Sequence, residues 1–87
     1  MNKKLETLEE LRATKEEMTI AQYCAEYLEE QDVFDSHIQM MMVYKNGIYI
    51  EQVECGYQLV FYNDYLFSPN LSDVEEYLWN TYREECI

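Results

Sequence analysis

Two glycines, one proline and one histidine are all that this 87-residue chain holds of three residue types on which many functions depend. With only Gly47 and Gly56 there is no glycine-rich loop to cradle a phosphate, so nucleotide use is not expected. His37 has no serine or cysteine nucleophile in a motif around it, and it reads as a surface or structural residue at the entry to the first strand. Cys24, Cys55 and Cys86 are odd in number, 31 residues apart and without a C-x-x-C pair. They therefore read as ordinary reduced thiols, neither a disulfide framework nor a zinc site. The stretch "DVFDS" lacks the alternating oxygen ligands and turn glycine of a calcium loop. Carboxylates are too common here for any pair to signal acid–base chemistry, so the chain is expected not to be an enzyme and to need no cofactor or metal. No apolar run approaches a membrane span and no signal sequence opens the chain, which makes a cytoplasmic protein the expectation.

Positive charge is also scarce, and unevenly so. Residues 1–15 carry four cations against three carboxylates, a net of +1, whereas from Glu16 onward Lys45 and Arg83 face fifteen carboxylates, a net of −13. Such a field repels nucleic acid and anionic lipid and draws in basic protein surfaces. Direct nucleic-acid or membrane binding is thereby disfavoured, and a basic protein surface is the expected partner.

What is abundant is aromatic area: nine tyrosines, three phenylalanines and one tryptophan, enough for a chain of net charge −12 to fold. Leu5, Leu8 and Leu11 give a narrow helical stripe, so residues 1–17 are expected to be a helical appendage and 18–87 a single α+β domain. Thr19 with Gln22 makes a capping box, Met18 is placed to staple onto Tyr23, and Ile20, Tyr23, Cys24, Tyr27 and Leu28 follow at the spacing of a helix with one buried face. Asn46-Gly47 signals a two-residue hairpin pairing Tyr44 with Tyr49 and Met42 with Glu51. "ECG" suits a three-residue loop with Gly56 in the left-handed position, pairing Val53 with Tyr57 and Glu51 with Leu59. One sheet face then carries Met40, Met42, Tyr44, Tyr49, Val53, Tyr57, Leu59 and Phe61, and is assigned to the core. Ser72 with Glu75 makes a further capping box, opening a helix whose buried face is Val74, Tyr77, Leu78 and Tyr82. The expected fold is α+β: N-terminal helices, a three- or four-stranded antiparallel β-meander, with "NDYLFSPN" either a fourth strand or a crossover, and a C-terminal helix.

Several residues have two readings. Glu51, on the assigned core face, is expected at the sheet margin reaching water, the alternative being a pocket carboxylate of raised pKa. Trp79 either covers the sheet edge or anchors an interface within an acidic rim. Ile48, Ile50, Val60 and Tyr62 form an apolar second face, to be covered by the N-terminal helix or by a partner. Ordinary solvated helices intersperse charge signs, and this chain after residue 15 does not. Glu26, Glu29, Glu30, Asp32, Asp35, Asp73, Glu75, Glu76, Glu84 and Glu85, with Trp79, are therefore the candidate partner-binding residues.

The tyrosine-rich hairpins "VYKNGIYI" and "ECGYQLVFY", with the acidic helices "AEYLEEQD" and "DVEEYLWNTYREE", resemble the layout of small acidic inhibitors made by phages and mobile elements, the anti-CRISPR and antirestriction DNA mimics. The resemblance covers residues 19–87 and rests on layout and charge, without a family motif. It implies a non-catalytic inhibitor that occupies the basic nucleic-acid cleft of a CRISPR effector or restriction nuclease. The basic-tinged "MNKK" and "RATK" depart from that pattern. The alternative expectation is a small structural or regulatory interaction module, with a homodimer as one form, whose acidity serves solubility.

Overall fold

A computed structural model describes residues 6–27, 37–61 and 64–86. Its elements run α1 (Leu8–Ala13), β1 (Glu16–Met18), α2 (Ile20–Tyr27), β2 (Met40–Val43), β3 (Tyr49–Val53), β4 (Gly56–Phe61), β5 (Asp64–Ser68) and α3 (Leu71–Cys86). The fold is α+β, and its antiparallel sheet has five strands in sequential order rather than three or four. The strand that sequence reading missed is β1, three residues with two exposed glutamates and no alternating apolar pattern to mark it. "DYLFS" is a strand and not a crossover.

Helices pack on both faces of the sheet. Leu11 of α1 and Val74, Leu78 and Trp79 of α3 pack with Met42, Tyr44, Ile48, Ile50 and Leu59. On the other face Tyr23 of α2 packs with Met18, Ile38, Met41 and Val43, and Ile20, Tyr49 and Val53 join at the margin. Tyr23 stacks on Tyr27 and meets Tyr49 edge-on, each at 5.0 Å between ring centres. The Thr19–Gln22 capping box forms in both directions, at 2.8 and 3.1 Å.

Residues 6–18 are not an appendage. Leu11 is fully buried in the larger core cluster, Thr7 caps α1 at the amide of Glu10, and Met18 belongs to the smaller cluster. The capping signal, T-x-x-E at residues 7–10, was present in the sequence.

The central strand lies one residue away from its expected register against both neighbours. Glu51 faces Met41 and Gln58, not Met42 and Leu59. The two loops explain the slide. The first has three residues, Lys45-Asn46-Gly47, closed by the Tyr44 amide donating to the Ile48 carbonyl at 2.6 Å, with Asn46 and Gly47 both at positive φ. The second has two, Glu54-Cys55, so that Val53 faces Gly56. In this register Ile48 and Ile50 enter the core under α1 and α3, which stabilises the fold by about 2 kcal/mol for each such side chain. Tyr49, Glu51 and Val53 move to the α2 side, contrary to the core face expected of Tyr49 and Val53. The expected register would have set a carboxylate beneath an apolar helix.

Gly56 is therefore not a left-handed turn residue. A Cβ there would lie 2.5 Å from the Ser68 carbonyl oxygen and 2.8 Å from the Pro69 Cα, backbone atoms of the last residue of β5 and the residue after it. Its lack of a side chain lets the two strands close up. At Gly47 the positive φ acts together with the Tyr27 ring, 3.0 Å from where a Cβ would sit.

Candidate functional site

The described carboxylates fall into three structural classes. Glu75 belongs to the interior: it is 4 % exposed, its Oε2 accepts from the Tyr44 hydroxyl at 2.6 Å and its Oε1 from Arg12 Nε at 2.9 Å. Arg12 also donates to Glu9 at 2.8 Å. Burial, reinforced by the hydrogen bond to Glu75, pushes the Tyr44 phenol well above the ordinary tyrosine range, so it stays a donor. The hydrogen bond that Arg12 donates to Glu75 likewise raises the pKa of its guanidinium. The Ser72–Glu75 capping box does not form, because α3 begins at Leu71 and its first turn is tied by Asp73, which accepts from Ser68 Oγ at 3.1 Å. Glu75 is thereby turned inward. Trp79 is also interior, 7 % exposed in the same cluster, with the Arg83 guanidinium 5.8 Å from its ring centre. Glu75 and Trp79 are thus both buried, and of the two readings of Trp79 the packing is that of an indole set against the sheet.

The second class is the exposed surface. Glu26 projects from α2, and Asp73, Glu76 and Glu84 from α3. Asp73, Glu76, Asn80 and Glu84 are spaced three and four apart, one stripe on the outer face of α3, with successive rises of about 4.5 and 6 Å. Glu6, Glu9, Glu16, Glu17 and Glu54 are exposed as well, so nine exposed carboxylates stand against two exposed cations, Lys15 and Arg83, among the described residues. Because α2 and α3 lie on opposite faces of the sheet, this charge is spread round the body and not gathered on one side. Glu29, Glu30, Asp32 and Asp35 fall outside the described residues, and Glu85 is placed only as part of the α3 backbone.

Comparison with protein-family models, curated proteins and solved structures found no match to this chain. The residues alone carry the functional argument. Among the described residues no three His, Cys, Asp or Glu side chains come together to hold a metal ion, and no helix is long and apolar enough to cross a membrane. His37 is exposed, Cys24 buried and Cys55 exposed at the tip of the second hairpin.

The third class is structural clamps. Asp64, at the start of β5, accepts from the hydroxyls of Tyr77 and, at 2.9 Å, Tyr82, tying the edge strand to α3 where Tyr82 departs from helical geometry. The Tyr77 hydrogen bond, then that of Tyr82, holds the Asp64 carboxyl below the ordinary aspartate value of 3.8. A folded-state pKa that is depressed stabilises the fold above the unfolded value, and this is lost as pH falls through the folded one. The melting-temperature gap between the parent and Asp64→Ala should therefore be open at pH 7 and close as the pH is taken below the ordinary aspartate range. A gap that persists unchanged at low pH would show that the carboxylate charge plays no part.

Glu51 is not at a wet margin. It is 5 % exposed and accepts from Gln58 Nε2 at 2.8 Å. Sequence spacing could not have found this pair, nor the Arg12–Glu75–Tyr44 network, because the first depends on the slid register and the second joins residues 63 and 31 positions apart.

Proposed function

We propose that the protein is a non-catalytic inhibitor that binds the basic nucleic-acid cleft of a protein, such as a CRISPR effector or restriction nuclease, by charge mimicry. The observation that carries this reading is the excess of nine exposed carboxylates over two exposed cations, distributed on both helical faces of a body 23 Å thick in its shortest dimension. A flat partner needs charge on one side only, whereas a cleft built to enclose a phosphate-studded duplex meets charge all round. Long-range attraction steers the encounter and makes it sensitive to salt. The test is capture from bacterial lysate on the immobilised protein, with and without excess duplex DNA and guide RNA. A nucleic-acid enzyme that the competitor displaces supports mimicry; a captured protein indifferent to nucleic acid contradicts it.

A second reading, an interaction module that pairs through its sheet, is favoured by one observation. Val60, Tyr65 and Phe67 are 43, 60 and 41 % exposed on the face of β4 and β5. They extend the α2 side of the sheet beyond the strands that α2 itself contacts. Ile48 and Ile50, expected with Val60 on a second apolar face, are instead in the core, and Tyr62 lies outside the described residues.

A further inference from the structure

The uncovered end of the sheet is more than an apolar patch. Val53, Glu54 and Cys55 at the β3–β4 turn, with Gln58, Tyr65 and Phe67, bound an open groove of about 590 Å³ whose far rim is His37 and Gln39. Phe67 faces Gln58 and Tyr65 faces Val60 across the β4–β5 ladder, and the Phe67 ring lies over Gly56. The floor is polar and organised. The Tyr65 hydroxyl donates to Gln58 Oε1 at 3.3 Å, and Gln58 Nε2 donates to the nearly buried carboxylate of Glu51 at 2.8 Å. A hydrogen-bonded chain thus runs from the exposed Tyr65 through Gln58 to the buried Glu51 carboxyl, and the exposed Glu54 carboxylate stands at the rim. Among the described residues, no lysine or arginine lines the groove.

We infer that this groove receives an arginine side chain on an extended segment of the basic partner, an inference that rests on the function proposed above. Two exposed aromatic side chains beside an exposed carboxylate suit a planar cation that stacks and donates in its own plane. β5 is the outermost strand of the sheet, so an extended segment can run along it with alternate side chains turned toward Tyr65 and Phe67. A second copy of this chain is the wrong occupant, because each copy carries −12 and like charge opposes the pairing.

The test uses the isotopically labelled full chain, titrated with an octapeptide alternating arginine and threonine and with the same peptide bearing citrulline for arginine. Saturable amide shifts at Glu54, Cys55, Gln58, Tyr65 and Phe67 are expected with arginine and not with citrulline. The double variant Tyr65→Ala/Phe67→Ala should weaken binding at least about tenfold, with the amide shifts of Ile50 and Leu59 showing the core unchanged. Shifts scattered over Glu16, Glu26, Glu76 and Glu84, with the double variant binding as the parent does, would overturn the groove and leave the acidic-surface reading standing. Absence of any shift at the groove, or groove shifts that grow with protein concentration and no peptide, would overturn it as well. Failure of the acidic-surface reading shows separately, as a captured partner that duplex DNA does not displace.

Discussion

Glu75→Ala lowers the unfolding free energy by about 3 kcal/mol, roughly 12–24 °C in melting temperature for a domain of this size. The substitution strands the Tyr44 hydroxyl, a donor 2 % exposed in the middle of the core, without its acceptor at 2.6 Å. It also frees the Arg12 guanidinium, whose side chain is 30 % exposed and can turn to water, so that half of the network costs less. Tyr44→Phe removes the donor and leaves the carboxylate paired with Arg12, a loss of about 1–2 kcal/mol. The cycle joining the two substitutions should show coupling of at least about 1 kcal/mol, since they share one hydrogen bond. Urea denaturation measures this directly: the midpoint falls and the slope stays. A midpoint for Glu75→Ala within about 0.5 kcal/mol of the parent would mean that Glu75 is at the surface, as its place in an acidic run suggested.

Reversal of charge at Glu26, Glu76 and Glu84 together, each to lysine, reduces affinity for the captured partner at least about 100-fold. Each reversal converts an attraction of up to about 1 kcal/mol into a repulsion, and three of them exceed the roughly 2.7 kcal/mol that a hundredfold loss requires. All three side chains are exposed, so stability should stay within about 0.5 kcal/mol of the parent. The loss should sit mainly in the association rate and shrink as salt is raised, because these charges steer rather than pack. Glu75 makes the contrast: it counts toward the net charge, yet its replacement acts on stability. Binding that survives the triple reversal would remove the outer faces of α2 and α3 from the interface.

The features legible in the sequence were those governed by local chemistry. The Thr19–Gln22 box, the positive φ of Asn46 and Gly47, the strands β2 to β4 and the C-terminal helix follow from contacts a few residues apart. What was not legible depended on distant partners. Asn46-Gly47 marks a turn but does not say whether Lys45 belongs to it, and that single residue decides which side of β3 is buried. Gly56 suggested a left-handed bulge, whereas the reason for it is the backbone of Ser68 and Pro69 in another strand. Glu75 looked like one carboxylate among many because Tyr44 and Arg12, which draw it inward, lie on β2's margin and α1. The N-terminal stretch looked peripheral because its one deeply buried contact, Leu11, is a single residue. Acidity was plain from composition, and its distribution over two opposite faces came only with the fold.

The central claim is that this acidic surface takes the place of nucleic acid, and displacement measures that most directly. With the captured enzyme purified and bound to a fluorescein-labelled duplex, the protein is added and the anisotropy followed. The account predicts release of the duplex at a stoichiometric concentration of the parent protein, and none with the triple charge reversal. A stable ternary complex, with the protein bound and the duplex still in place, would contradict it.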